Sequence, residues 1–297
     1  MLAKLIGVIF IIIGIAGLIL PVIPGILLIM VGLLLFFKDK EYEIIKIINE
    51  KAPPHFASFY HDFLSRIVNN GHHIGVDWSW VENEVKKREG ICSVGDSEKG
   101  KSIAKSLDES LVKAKALSKP NYIRTVKKIT AAGEDFIELE GGIKFSSGKI
   151  PKYIKGASHI VIFLVTIGEK IESAAGVLTK GKEPLAGYLL DRIGSFAVES
   201  LAESVEKKIR IDYLKIKKSA SKRYSPGYCD WPIEEQRVLA EVLDFYKIGV
   251  TLNESCMMRP KKSISAVVAI ADKGIFTESG STCGICEKKD CSYRRDD

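Results

Sequence analysis

The chain has 297 residues, a formal net charge of +7 and six cysteines, with 46% hydrophobic and 27% charged residues. That apolar content excludes a disordered chain, and the cysteines are too sparse for a disulfide-built scaffold. No nucleic-acid motif accompanies the positive charge, which gathers partly in Lys207–Arg210 and Lys215–Arg223 and reads first as a lysine-rich helix end.

From Leu5 to Phe37 no charged or strongly polar residue occurs. Pro21-Val-Ile-Pro24-Gly25 divides the run into Leu5–Leu20 and Ile26–Phe37. At ~1.5 Å per residue the arms reach about 24 Å and about 18 Å, short of a ~30 Å hydrocarbon core. A re-entrant hairpin, two short spans in a thinned bilayer and one kinked span all meet this pattern. Lys4 before the run, and Lys38 and Lys40 after it, favour both ends inside and hence a membrane hairpin over 1–40. This places the rest of the chain on the cytoplasmic face of the membrane. The run is too long for a signal-peptide core, and no Ala-x-Ala-like cleavage site follows it.

Residues 41–107 read as a juxtamembrane helical connector. Ile44, Ile45, Ile47 and Ile48 give a short amphipathic helix before Pro53-Pro54. Phe56, Phe59, Tyr60, Phe63, Leu64, Ile67 and Val68 keep helical spacing, with Trp78 and Trp80 beyond them. Such aromatics suit either a membrane interface or packing against a domain. His55, His61, His72 and His73 spread through this polar stretch as ordinary surface residues do. Gly95-Asp-Ser-Glu-Lys-Gly-Lys-Ser102 satisfies the phosphate-loop pattern. However, the segment before it is helix-like, and no later apolar strand ends in a magnesium-binding aspartate. Residues 90–102 therefore read as a polar loop.

Residues 108–297 read as one α+β domain. His159–Val165 is a strand candidate. Ile193, Phe196, Ala197, Leu201, Val205 and Ile209 form one apolar helical stripe. Glu199, Glu203 and Glu206 lie off it, as a solvated acidic face does. Arg223-Tyr-Ser-Pro-Gly-Tyr228 follows. Pro226 presets φ and Gly227 supplies φ > 0, so Ser225–Tyr228 is expected to form a type II turn. The Arg223 guanidinium suits a carboxylate, and Tyr228 offers a ring face and a hydroxyl. Pro232 is expected at a first helical position, with Asp230 as a nearby cap. Ile233, Val238, Leu239, Val242, Leu243 and Tyr246 keep helical spacing to Gly249. Ile264, Ala266, Val268 and Ile270 alternate as in a strand with one buried face.

Cys283-x-x-Cys286-x-x-x-x-Cys291 closes the chain. Three thiols at this spacing suit zinc or an iron–sulfur cluster, with Cys256, Cys229 or a non-cysteine group as a fourth ligand, or else reduced cytosolic thiols. Cys92 reads as a buried small residue.

Two stretches carry a family resemblance. Arg-x-x-Pro-Gly-Tyr at 223–228 and Leu-x-Glu-Ser-x-x-Met-x-Pro-x-x-Ser-x-Ser at 252–265 resemble the activation domain of cobalamin-dependent methionine synthase. Val161–Glu169 and Leu190–Glu199 are similar to stand-alone relatives. The resemblance covers roughly residues 108–297. Asn253 stands where threonine is usual, and Ala266 where glycine is common. The resemblance implies S-adenosylmethionine binding by Arg223, Pro226, Gly227 and Tyr228. Arg223 would hold the methionine carboxylate and Glu199 the ammonium. It implies a corrinoid-facing pocket signature in Glu254, Ser255, Met258, Ser263 and Ser265.

The fold implied is α+β, with helices around a twisted, mainly antiparallel sheet whose last hairpin lies near 250–271. The activity implied is methyl transfer from S-adenosylmethionine to a corrinoid, the reductive reactivation that a cobalamin enzyme needs. No Asp-x-His-x-x-Gly cobalamin signature is present, so the corrinoid belongs to a partner protein such as methionine synthase, with an electron donor the sequence does not name. The alternative is a non-catalytic, membrane-anchored redox or docking module that uses the cysteine cluster.

Overall fold

The computed structural model describes residues 74–91, 97–228 and 230–276. The chain divides into two compact units. One comprises Ile74–Ile209 with Lys217–Asp297; the other takes Met1–His73 with Arg210–Ile216. The expected membrane hairpin, most of the connector and the C-terminal cysteine cluster lie outside the described residues. Among those described, no helix is long and apolar enough to cross a membrane.

Helix α1 (Trp78–Arg88) opens on Asp77, whose Oδ1 accepts from the Ser79 and Trp80 amides at 3.0 Å each. This side chain satisfies two of the donors that a helix start leaves open. Helix α2 (Glu98–Leu117) starts at Ser97, whose Oγ accepts from the Gly100 amide at 3.1 Å. Lys101 and Ser102 are therefore the first turns of a helix, where the sequence suggested a loop running to 102.

Three strands follow, β1 (Asn121–Ala132), β2 (Phe136–Leu139) and β3 (Ile143–Ser146). After the single turn α3 (Ile150–Tyr153) comes β4 (Ala157–Thr166). Helix α4 (Lys170–Lys180) and the long α5 (Pro184–Lys215) lead to β5 (Lys218–Tyr224). Pro184 begins α5, where its missing N–H costs nothing. A 3-10 turn (Ile233–Glu235) runs into α6 (Gln236–Leu243), and a second follows at Phe245–Ile248. The last strands are β6 (Thr251–Leu252), β7 (Met258–Arg259) and β8 (Ser263–Asp272).

Six strands form one sheet in the order β3-β2-β1-β4-β8-β5, and every neighbouring pair is antiparallel. The α+β reading with a mainly antiparallel sheet holds. The expected hairpin over 250–271 differs in detail. β6 and β7 pair only with each other, whereas β8 inserts between β4 and β5.

β4 and β8 are central and buried on both sides. Ile160–Val165 and Ser265–Ala271 are buried without a break. A strand covered on both faces needs a continuous apolar run, so the single buried face expected for β8 is corrected here. One face carries Ile160, Ile162, Leu164, Tyr224, Val267 and Ala269, packed with Trp231, Leu239, Leu243 and Phe245. Alternation puts Val161, Phe163, Val165, Val268 and Arg223 on the other face. Helix α5 lies there, with its expected stripe Ile193, Phe196, Ala197, Leu201, Val205 and Ile209 fully formed and buried.

Close approach fixes α5 against α4. A Cβ on Gly187 would lie 2.4 Å from Thr179 Oγ1, 2.5 Å from its amide nitrogen and 2.8 Å from the Ala175 carbonyl oxygen. Two of these atoms are backbone, so only glycine allows the helices this near. α5 also receives α1. The Asp77 amide donates to Ser200 Oγ at 2.8 Å, and Trp80 meets Phe196 edge-to-face at 6.3 Å. Of the two settings open to Trp80, the structure shows packing within this unit. Glu89 then accepts from Arg192 Nε at 2.6 Å and from the Tyr188 hydroxyl at 2.5 Å.

β5 contains a bulge. Ala220 stands opposite Ile270, yet Arg223 stands opposite Val268, so one extra residue is fitted on β5. Ser221 Oγ fills the break in the ladder by accepting from the Ala269 amide at 2.9 Å. Beyond the bulge, Arg223 faces α5 and Tyr224 faces the apolar cluster.

Candidate functional site

The turn after β5 forms as its residues dictate. Gly227 has φ 88°, and the Tyr228 amide donates to the Ser225 carbonyl at 3.2 Å. Trp231 closes the loop twice, donating to Tyr228 O at 3.1 Å and accepting from the Gly227 amide at 2.8 Å. Pro226 is buried, while Tyr228 is 56% exposed. The turn thus presents the tyrosine to solvent at the end of the strand that carries Arg223.

Arg223 points into α5. Its Nη2 donates to Glu199 Oε2 at 2.6 Å and its Nη1 to Glu206 Oε2 at 3.3 Å. Its backbone amide also donates to Glu206 Oε1 at 3.3 Å. Burial of the guanidinium disfavours its charge, but Glu199 and Glu206, with smaller contributions from Glu203 and Tyr228, outweigh that and hold its pKa above the usual arginine value. The structure therefore brings Arg223, Glu199 and Tyr228 into one electrostatic neighbourhood. Arg223 and Glu199, assigned from sequence to opposite ends of a ligand, are paired with each other here. Glu206 joins them, and residue-by-residue reading of the sequence did not select it.

The same side of α5 carries a second cation. Lys262 is buried, and its Nζ lies 2.8 Å from Asp191 Oδ1 and 2.8 Å from Ser195 Oγ. Asp191, Ser195 and Glu199 are spaced by four, which aligns them on one helix face. That polar strip thus meets Lys262 from the start of β8 and Arg223 from the end of β5.

The later signature residues separate. Ser263 Oγ lies 2.9 Å from Thr166 Oγ1 and donates to the Pro260 carbonyl at 2.8 Å. Ser265 Oγ donates to Gln236 Oε1 at 2.6 Å. Both are buried and join β8 to β4 and α6, so their contacts are structural. Met258 is half-buried against the apolar cluster. Glu254 and Ser255 are exposed on the loop between β6 and β7, and Arg237 Nη2 donates to the Glu254 carbonyl at 2.7 Å.

A family model for "Vitamin B12 dependent methionine synthase, activation domain" matches residues 125–277. The chain belongs to that family. Among solved structures it is similar to the MetH reactivation domain bound to AdoHcy, with 18% identity. That likeness covers 63% of this chain and 70% of the other, at a TM-score of 0.47. No curated protein gives a match.

Within this activation domain the expected N-terminal cap at Asp230 does not form. Asp230 Oδ1 accepts from Ser147 Oγ at 3.2 Å, and Pro232 precedes the 3-10 turn with ψ 143°. Helix α6 ends at Asp244 with φ 45°, before Tyr246, which is exposed rather than on the apolar stripe.

Glu235, at the end of that 3-10 turn, accepts from the Ser146 amide at 3.1 Å. Its burial raises its carboxyl pKa, the Ser146 hydrogen bond opposes this, and the charge on Glu234 adds to the rise. The folded chain thus holds this proton more tightly than the unfolded chain. The associated stability is present at low pH and lost as pH rises through the folded value. Glu235→Gln is expected to melt above wild type at pH 7, with the gap closing below about pH 4. Thermal melts from pH 4 to 8 test this, and a wild type that is the more stable at pH 7 contradicts it.

Among the described residues no group of three histidine, cysteine, aspartate or glutamate side chains is placed to hold a metal. Cys256 is buried and free, at φ 60°. The zinc or iron–sulfur assignment gains no support from it, and Cys229, Cys283, Cys286 and Cys291 lie outside the described residues.

Proposed function

We propose that this activation domain binds S-adenosylmethionine at the Arg223 turn and offers its methyl group to a corrinoid held by a partner domain or protein. One observation carries the reading: a single guanidinium is set among carboxylates at the end of the strand that leads into Ser225–Tyr228. The methionyl end of the ligand has one carboxylate and one ammonium, with a sulfonium three carbons further on. Arginine matches the carboxylate through its planar fork, and the acidic surroundings match the two cations. When bound, the sulfonium supplies both the methyl group and its own leaving group.

The chain's own task is then to bind, orient and exclude water. Arg223 would fix the carboxylate, Glu199 the ammonium, and the exposed Tyr228 ring would cover the ligand. Pro226 and Gly227 set the angle at which Tyr228 leaves the strand. The lysine-flanked run Leu5–Phe37 supports attachment to the cytoplasmic face of a membrane.

Calorimetry of the full chain tests the proposal. S-adenosylmethionine is expected to bind with one-to-one stoichiometry. 5′-Methylthioadenosine, which lacks the amino-acid end, is expected to bind at least about tenfold more weakly. Equal affinities would remove the Arg223 cluster from the binding site.

A further inference from the structure

Lys262 carries a spare donor in a buried place. Its side chain is 10% exposed, and its stem crosses α5 at Gly194, where a Cβ would lie 3.3 Å from Lys262 Cε. Its Nζ donates to Ser195 Oγ and to Asp191 Oδ1, each at 2.8 Å. An ammonium has three N–H donors, and the third has no partner among the described residues. The Asp191 side chain is 52% exposed, and its Oδ2 likewise has no partner among the described residues. Replacing a buried ion pair by apolar side chains is often neutral or stabilising, so the tie between β8 and α5 does not by itself account for a lysine here. A spare donor beside a spare acceptor is what a ligand bearing hydroxyls needs.

Resting on the proposed ligand, we infer that Lys262 and Asp191 form the subsite for the ribose diol of S-adenosylmethionine. Vicinal hydroxyls both donate and accept. One donates to Asp191 Oδ2 while the other accepts from the third Lys262 N–H, and both bonds are charge-assisted. The diol is neutral, so the ion pair keeps its charge balance. Position agrees with this. On β5, Arg223 stands opposite Val268 and Tyr224 opposite Val267, so the chain leaving Tyr224 heads toward the start of β8, where Lys262 lies. Asp191 and Glu199 are eight residues apart on α5, a rise of about 12 Å. Eight bonds link the ligand ammonium to its 3′-oxygen, about 10 Å for an extended chain. A ligand with its ammonium at Glu199 thus brings its ribose to Asp191 and Lys262 along one face of α5.

The test compares S-adenosylmethionine with its 2′,3′-dideoxy analogue, which lacks only the diol, by calorimetry on the full chain. The ratio of their dissociation constants reads the diol contacts alone. Wild type is expected to favour the diol-bearing form by at least about tenfold. Lys262→Met keeps an unbranched stem without the charge, and Asp191→Asn changes an exposed position and should fold normally. Each is expected to lower the ratio by at least about threefold, and the double variant to bring it near unity. Arg223→Ala is expected to weaken both ligands and keep the ratio within about threefold of wild type. A wild-type ratio near unity, or an unchanged ratio in Asp191→Asn and Lys262→Met, would overturn the subsite while leaving the Arg223 contact standing. Failure of the wild type to bind S-adenosylmethionine would overturn the proposed ligand, and this inference with it.

Discussion

Arg223→Ala is expected to weaken S-adenosylmethionine binding by about 1.5–3 kcal/mol, the range for hydrogen bonds to charged groups. It is also expected to lower stability. The substitution leaves Glu199 and Glu206 without the guanidinium that both now touch. Breaking a fully buried pair costs roughly 3–5 kcal/mol, and the partial exposure of both carboxylates reduces this to roughly 1–3 kcal/mol. Arg223→Lys restores a charge but not the planar fork, so it should recover more stability than affinity. Calorimetry and chemical denaturation of the same preparations separate the two effects. An unchanged dissociation constant in Arg223→Ala would exclude this residue from the ligand site.

Trp231→Ala is expected to be the more destabilising change. The indole is 2% exposed and packs edge-to-face on Phe145 at 5.6 Å. Truncating such a side chain costs about 3–5 kcal/mol through lost burial and the cavity left behind. In a domain of this size that lowers the melting temperature by more than about 6 °C. Affinity should fall as well, because both backbone bonds of Trp231 close the loop that carries Tyr228. Trp231→Phe should lose much less, since the indole N–H has no partner among the described residues and the ring position stays filled. A melting temperature for Trp231→Ala within a degree or two of wild type would contradict this account of the loop.

The parts of the site legible in the sequence are those fixed by local stereochemistry. Pro226 and Gly227 restrict their own dihedral angles, so the turn is written in adjacent residues. The apolar stripe of α5 is equally local, since it needs only helical periodicity. The Arg223 clamp was half legible. Glu199 entered through the family resemblance, and Glu206 did not, although its spacing of seven from Glu199 already placed both on one helix face. What was missing was the identity of the cation opposite them, which depends on the register of β5. Asp230 failed as a predicted cap for a similar reason: its partner, Ser147, is 83 positions away in sequence. β8 was read as half-buried because alternation cannot reveal that helices cover both faces of a central strand.

The bulge in β5 decides which face of the sheet each residue beyond it meets. Ser219–Tyr224 carries one residue more than its partner strand. Paired one-for-one from Ala220 without the bulge, the same residues would put Arg223 opposite Val267, the place now held by Tyr224 inside the apolar cluster. The guanidinium would then enter a hydrocarbon environment, and the two glutamates of α5 would face tyrosine. The extra residue on β5 is thus what keeps Arg223 and Tyr224 on their own faces of the sheet. Conservative replacements at Lys218 or Lys222 leave the facing unchanged.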